Sequence, residues 1–175
     1  MVRGKAMREP DTVRVRPLRT RDRARLREMV VSAGNFNEAE VATALELVDE
    51  ALAKGEASGY FFLILEDAAA SPRVQGYACY GPTPLTEGVY DLYWIVVDRA
   101  AQGRGHGRRL LARVEEQVRG RRGRKLLIET SSQESYAGTI RFYERSGYGL
   151  AARIRDFYKV GDDKLVFSKD FPGER

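Results

Sequence analysis

The order of hydrophobic patterns along the chain predicts one α/β domain built on a mixed sheet. Segments that alternate apolar and polar residues like strands are interleaved with segments whose apolar residues recur at helical spacing. A strand, a helix and another strand follow one another between residues 89 and 129, which requires a parallel crossover, whereas a short polar connection at residues 67–73 favours an antiparallel hairpin. With 175 residues the chain can bury one sizeable core, so we expect a single active site.

Seven segments have the pattern of strands and four have the pattern of helices. The strand candidates are rich in β-branched and aromatic residues, and they lie at residues 13–18, 60–65, 74–80, 89–97, 125–129, 150–158 and 165–168. The helix candidates have apolar residues three and four apart, and they lie at residues 20–34, 37–55, 105–118 and 136–146. Thr20 is expected to cap the first helix, and Asn37 with Glu40 forms a capping-box pattern ahead of the second.

The composition is typical of a soluble protein in a reducing compartment. Hydrophobic residues make up 43% and charged residues 31%, and no apolar run approaches the ~18 residues of a membrane span. The first residues lack the apolar stretch of a secretory signal. Cys79 is the single cysteine and cannot form an internal disulfide, so we expect a cytoplasmic protein. Residues 1–11 show no periodicity and are expected to be a flexible lead, and residues 12–171 are expected to form the domain.

Positive charge is concentrated in two segments. Residues 1–27 hold ten Lys and Arg residues against three acidic ones, and residues 104–125 hold nine against two. The first segment could bind nucleic acid, but arginine outnumbers lysine throughout the chain, so a solvated tail followed by one face of a helix is the favoured interpretation. The second segment begins inside a glycine-rich turn and could therefore surround a phosphorylated ligand.

That turn, Gln102-Gly-Arg-Gly-His-Gly107, directly follows the most apolar strand candidate and directly opens an amphipathic helix. A helix N-terminus presents unpaired backbone N–H groups and the positive end of a dipole, and glycines let the backbone approach a diphosphate closely. A P-loop would continue as Gly-Lys-Ser/Thr, whereas Arg108 and Arg109 follow here. A Rossmann site would use an acidic residue such as Glu129, but three strand candidates precede this one, so dinucleotide binding is the second choice.

Two motifs resemble those of the GNAT N-acetyltransferases. Gln102-x-x-Gly105-x-Gly107 resembles their Arg/Gln-x-x-Gly-x-Gly/Ala signature, and the stretch from Phe142 and Tyr143 to Gly147-Tyr148 resembles their Phe-Tyr-x-x-x-Gly-Phe element. The similarity extends over about residues 13–169. It implies the GNAT fold, a mixed and mostly antiparallel sheet of about six or seven strands with about four helices on both faces.

The resemblance also implies a function, which is transfer of the acetyl group of acetyl-CoA, without a metal ion, to a primary amine of a small molecule or amino acid. Because one scaffold serves many functions in this family, three alternatives stay open: a protein N-terminus or lysine as acceptor, an acyl-CoA sensor, and a nucleic-acid-binding module without chemistry. No membrane partner is expected. Dimers are common in the family, and the C-terminal strands could pair across a two-fold axis.

Carried over to this chain, the resemblance implies a cofactor site on the strand, the turn and the next helices. The backbone at residues 95–97 would pair with the pantetheine arm, and the amides of residues 102–108 would hold the pyrophosphate. The implied residues are Ile95, Val96, Val97, Gln102, Gly103, Arg104, Gly105, His106, Gly107, Arg108 and Tyr136. Tyr136 replaces an Asn that often orients pantetheine, so its side chain is expected to shape the acceptor pocket instead. His106 is expected to face phosphate or solvent rather than to take part in catalysis.

Aminolysis of a thioester needs a base that deprotonates the amine and an acid that protonates the leaving thiolate. By the resemblance, Asp91 lies where the family has its catalytic carboxylate, usually Glu, and its shorter side chain favours a water relay. Because side chains alternate between the two faces of a strand, a shared face is predicted for Asp91, Tyr93, Ile95 and Val97. Alternatively Asp91 only begins the strand, and Glu129 is then the substitute base.

Tyr143 matches the tyrosine that serves as general acid in the resembling family. Its hydroxyl stays protonated at neutral pH and can donate to a thiolate. Residues seven apart lie on one helix face, so a stripe is expected to line the thioester end, formed by Tyr136, Thr139 or Ile140, and Tyr143. The alternative interpretation is an aromatic core residue. Aromatic residues that could line an acceptor pocket are Tyr60, Tyr80, Tyr90, Tyr93, Trp94 and Tyr136.

Overall fold

Seven strands form one sheet in which every pairing but one is antiparallel. In the computed structural model, which describes residues 13–34 and 36–171, the strands are β1 (Val13–Arg16), β2 (Phe61–Asp67), β3 (Val74–Pro82), β4 (Val89–Val97), β5 (Lys125–Ser131), β6 (Gly149–Lys159) and β7 (Asp162–Asp170). Their order across the sheet is β1-β2-β3-β4-β5-β7-β6. β4 and β5 are the parallel pair, which confirms the predicted crossover, and β2 with β3 forms the predicted hairpin. The predicted lead at residues 1–11 lies outside the described residues.

Four helices cover the two faces of the sheet. They are α1 (Arg23–Ala33), α2 (Glu38–Lys54), α3 (His106–Gly120) and α4 (Ala137–Arg145). α1 and α2 bury Leu26, Met29 and Val48 against one face, and α3 buries Leu110 and Val114 against the other, where α4 also packs. This arrangement confirms the predicted fold class. Across the part of the chain that the structure describes, no helix has both the length and the apolar character that crossing a membrane requires.

The helix starts follow local hydrogen bonding. The predicted capping box is present, since the Asn37 side chain accepts from the backbone N–H of Glu40 (2.9 Å) and the Glu40 carboxylate accepts from that of Asn37 (2.8 Å). Thr20 does not cap α1 but begins a 3₁₀ turn, and α1 starts after Asp22. The Asp22 carboxylate is held by the Arg16 guanidinium at 2.7 and 2.8 Å and by the backbone N–H of Arg19. These bonds hold the chain in the 3₁₀ turn, so α1 begins after Asp22 and not at Thr20.

A β-bulge bends β4 in its middle. Cys79 of β3 pairs with Trp94 of β4, but the next residue, Tyr80, pairs with Leu92, so Tyr93 is an extra residue in β4. A bulge of this kind bends the strand and increases its local twist. On the other side of β4, the described register with β5 runs only from Val89↔Lys125 to Leu92↔Ile128. Beyond Leu92 the two strands therefore separate, and they leave a cleft between the second half of β4 and the end of β5.

The bulge also reverses the alternation of side chains along β4. Leu92, Ile95 and Val97 pack on the core beneath α3, whereas Val96 packs on the core beneath α1 and α2. Asp91, the neighbour of Leu92, lies on the opposite face of the strand from Ile95 and Val97. The prediction of one shared face was wrong, because a strict two-residue period does not continue through an inserted residue.

Candidate active site

The glycine-rich turn brings the backbone of residues 102–107 to the N-terminus of α3. Gly103 has φ +75° and Gly105, the residue that caps α3, has φ +81°. This left-handed conformation costs a residue with a side chain roughly 1–2 kcal/mol. The Gln102 side chain donates to the carbonyl of Val97 at 3.2 Å, which ties the turn to the end of β4. The first turn of α3 therefore begins beside the edge of β4 that does not pair with β5, where the backbone N–H groups of a helix N-terminus can bind an anion.

A cavity of about 700 Å³ lies between this turn, the unpaired edge of β4 and α4. Its walls combine small residues of the turn with apolar residues from the strand and from α4, a lining that suits a long flexible ligand with an anionic end. The residues that line it are Ile95, Val97, Gln102, Gly103, Gly105, His106, Gly107, Arg108, Ser135, Gly138, Thr139, Phe142 and Tyr143. We refer to this cavity as the turn cleft.

Most of the sequence-predicted cofactor residues line the turn cleft, and three do not. The Val96 side chain is buried in the core beneath α1 and α2, so only its backbone belongs to the strand edge. Arg104 is outside the lining residues, and Tyr136 lines a second cavity. His106, in the first turn of α3, lines the cleft and is only 5% exposed, so its side chain does not lie in solvent.

The second cavity has a volume of about 530 Å³ and meets the turn cleft at three shared residues, Ile95, Thr139 and Tyr143. Its remaining walls come from the start of α2, from β4 and β5, and from the β6–β7 hairpin. They consist of Phe36, Asn37, Glu40, Tyr93, Trp94, Glu129, Thr130, Ser131, Gln133, Tyr136, Tyr158, Lys159 and Asp162. We refer to this cavity as the acid-lined pocket, because it carries three carboxylates.

Tyr143 lies at the junction of the two cavities. It projects from α4 and is 5% exposed. Of the predicted stripe, Tyr136, Thr139 and Tyr143 line the acid-lined pocket, whereas Ile140 packs on the core beneath α3. Burial raises the pKa of Tyr143 well above its ordinary value, because the phenolate would be poorly solvated there. The side chain is thus a neutral hydroxyl across the physiological pH range. It can donate a proton to a group held in either cavity.

The two candidate carboxylates differ in their access to these cavities. Asp91 is half-buried, accepts a hydrogen bond from the Thr83 hydroxyl at 2.7 Å, and lines neither cavity. Burial raises its pKa and the charge of Glu129 adds to the increase, although the Thr83 hydrogen bond and Lys164 oppose it. Glu129 lines the acid-lined pocket, where Lys164 pairs with it at 2.5 Å.

Of the six aromatic residues that sequence reasoning placed near an acceptor, Tyr93, Trp94 and Tyr136 line the acid-lined pocket. Tyr60 and Tyr80 line a different cavity beside β1 and α2, and Tyr90 packs on the core. Sequence reasoning missed nine wall residues of the acid-lined pocket, which are Phe36, Asn37, Glu40, Thr130, Ser131, Gln133, Tyr158, Lys159 and Asp162. The sequence identified Glu40 only as part of the capping box of α2, and a capping box does not predict a pocket.

Replacing Gly105 by alanine is expected to weaken coenzyme A binding about 5-fold to 30-fold, because the left-handed backbone would be strained by roughly 1–2 kcal/mol and the turn would shift. Titration calorimetry measures the affinity. Gly120→Ala is the matched control, since a Cβ there meets no atom within 4 Å and the residue lies at the far end of α3. Equal affinities for Gly105→Ala and Gly120→Ala would remove the turn from the binding site.

Comparisons with known proteins give one consistent result. A sequence model of the Acetyltransferase (GNAT) family matches residues 24–148. A crystal structure of a protein assigned to the GNAT family, from Desulfovibrio desulfuricans, has 45% sequence identity, a TM-score of 0.86, and coverage of 91% of this chain and 99% of that chain. No curated protein sequence matches this chain.

Two more distant structures share the fold alone. The protein yncA from Salmonella typhimurium, solved with its cofactor acetyl-CoA, is 20% identical with a TM-score of 0.72, over 94% of this chain and 96% of that chain. The ribosomal-protein-S18-alanine N-acetyltransferase of Escherichia coli is 21% identical with a TM-score of 0.72, over 94% of this chain and 98% of that chain.

Proposed function

Because this chain belongs to the GNAT acetyltransferase family and is an acetyl-CoA-dependent acyltransferase, we propose that its acceptor is a primary amine of a small molecule or amino acid. The observation that carries this proposal is the junction of two cavities at Ile95, Thr139 and Tyr143. One cavity suits a long anionic cofactor and the other suits a compact acceptor. The reacting groups meet where the cavities join.

The residues of the turn cleft fit coenzyme A. The unpaired edge of β4 at residues 95–97 offers backbone groups to the amides of the pantetheine arm, as a neighbouring strand would. The first amides of α3 and the Arg108 side chain, which lines the cleft, would hold the pyrophosphate. A backbone N–H of the same strand segment would donate to the carbonyl oxygen of the thioester. When bound, acetyl-CoA supplies the activated acetyl group.

Two side chains carry the two proton transfers. Tyr143, at the junction, donates its hydroxyl proton to the departing thiolate, and burial keeps that proton in place beforehand. Asp91, which lines neither cavity, accepts the proton of the acceptor amine through water. Tyr93 follows Asp91 in β4 and lines the acid-lined pocket, and burial and the Asp91 charge raise the pKa of Tyr93 to about 12.

The dimensions of the acid-lined pocket favour a small acceptor over a folded protein. Its volume of about 530 Å³ lies within the ~300–1,000 Å³ of small-molecule sites. A protein substrate would need a groove that passes across the surface. The pocket is instead bounded on several sides by α2, β5 and the β6–β7 hairpin.

The direct test is thiol release from acetyl-CoA in the presence of a panel of primary amines. We expect amine-dependent release of coenzyme A with formation of the acetylated amine by mass spectrometry. Tight coenzyme A binding without acetylation of any amine would instead identify a sensor. Salt-dependent DNA binding by the same preparation would favour a nucleic-acid module.

A further inference from the structure

The walls of the acid-lined pocket are more negative than a pocket for an amino acid would be. Three carboxylates, Glu40, Glu129 and Asp162, face one ammonium, Lys159, among the residues that line it. None of these four residues lines the turn cleft, so the charged walls lie away from the thioester end. The pocket is identified as the acceptor site by its junction with the cleft at Tyr143. Its charge then decides which acceptor fits.

Two of the carboxylates are held by uncharged donors, so their hydrogen bonds leave the negative charge in place. Asp162 is 5% exposed and accepts from the Ser131 hydroxyl at 2.5 Å and the Gln133 amide at 2.7 Å. The Glu40 carboxylate accepts from the backbone N–H of Asn37. Glu129 is different, because Lys164 pairs with it. With Lys159 as the one ammonium among the lining residues, the carboxylates of Asp162 and Glu40 therefore leave the pocket with a net negative charge.

The three carboxylates come from three separate elements, α2, β5 and β7, and line the same pocket. Tyr158 of β6 lines it with them, and its pKa is raised first by burial and then by the charges of Glu129, Asp162 and Glu40. Aromatic rings also line the pocket, with Phe36 and Trp94 in edge contact at a centroid distance of 5.0 Å. Carboxylates and aromatic faces together are the surroundings that bind an organic cation.

On the basis of the proposed function, we infer that the acceptor is a small diamine, whose reacting amine lies at Tyr143 and whose second, protonated amine binds between Asp162 and Glu40. The first amine must be neutral to attack, whereas the second stays an ammonium and is not acetylated in the same encounter. An α-amino acid would bring its carboxylate toward these acids, and like charges would repel it.

The test compares three acceptors of nearly equal length that differ in their far end: pentylamine (uncharged), putrescine (an ammonium) and γ-aminobutyrate (a carboxylate). We expect kcat/KM for putrescine to exceed that for pentylamine by at least about tenfold, and γ-aminobutyrate to be the poorest, since a charged hydrogen bond contributes about a factor of ten or more. Asp162→Asn and Glu40→Gln should each reduce the ratio of kcat/KM for putrescine to kcat/KM for pentylamine about tenfold.

Glu38→Gln is the matched control, because Glu38 is exposed in the same first turn of α2 and does not line the pocket. Glutamine at position 40 can still complete the capping box, so Glu40→Gln keeps the test valid even if Asp162→Asn fails to fold. Equal kcat/KM for pentylamine and putrescine, or a preference for γ-aminobutyrate, would overturn the inference and leave the proposed function standing. If no amine were acetylated although coenzyme A bound, the proposed function would fail and the inference with it.

Discussion

Replacing Tyr143 with phenylalanine is expected to lower kcat by about 100-fold to 10,000-fold at neutral pH, the range that one general acid contributes. The hydroxyl of Tyr143 is the donor at the junction of the two cavities, and burial raises its pKa so that it stays protonated. The phenyl ring keeps its packing on Phe142 and Phe167. Coenzyme A affinity, measured by calorimetry, should therefore change by less than about twofold.

Tyr148→Phe is the control for the loss of a hydroxyl in the same core. The Tyr148 hydroxyl donates to the Glu115 carboxylate at 3.0 Å and does not line either cavity. Its removal should cost about 1 kcal/mol of unfolding free energy and leave kcat close to that of the wild type. A Tyr143→Phe enzyme with unchanged kcat would exclude Tyr143 from the chemistry.

Replacing Asp91 with asparagine is expected to reduce kcat/KM about 100-fold near neutral pH and to make the loss smaller as the pH rises. The carboxylate works as a base only when it is ionised, and burial raises its pKa, so wild-type activity should fall as the pH drops through that raised value. The variant lacks this group and depends on free amine, whose fraction grows toward an alkylamine pKa of ~10.4. The pH dependence of kcat/KM measures both effects.

Glu129→Gln decides between the two carboxylates. Glu129 lines the acid-lined pocket and pairs with Lys164. Asp91 lines neither cavity and accepts a hydrogen bond from the Thr83 hydroxyl. If Asp91 is the base, Glu129→Gln should keep the shape of the wild-type pH profile and move its acid side to lower pH, because the Glu129 charge that helps to raise the Asp91 pKa is gone. A rescue at high pH seen only in Glu129→Gln, with Asp91→Asn following the wild-type profile, would transfer the role to Glu129.

Much of the fold could be predicted because its signals are local. The capping box of α2, the glycine turn before α3 and the hairpin of β2 and β3 each depend on a few consecutive residues. The bulge at Tyr93 had no such signal, since one extra residue in an apolar strand looks like any other strand residue. It places Ile95 and Val97 on the opposite face of β4 from Asp91. The error about the shared face came from this single residue.

Only part of the acid-lined pocket could be predicted from the sequence, and the reason differs from that for the bulge. Tyr136 and Thr139 follow from helical spacing relative to Tyr143, and the structure brings all three to the pocket. Glu40 and Asp162 are far apart in the sequence, and both line the pocket only because α2 and the β6–β7 hairpin pack beside β5. No spacing rule connects such residues, so the charge of the pocket is visible only in the fold.

The most direct test of the whole account is the structure of the complex with coenzyme A. The account predicts the pantetheine arm beside residues 95–97 of β4 and pyrophosphate oxygens about 3 Å from the backbone nitrogens of residues 103–108. The thiol should lie at the junction beside Tyr143. Coenzyme A bound elsewhere, with no ligand between β4 and β5 at saturating concentration, would contradict it.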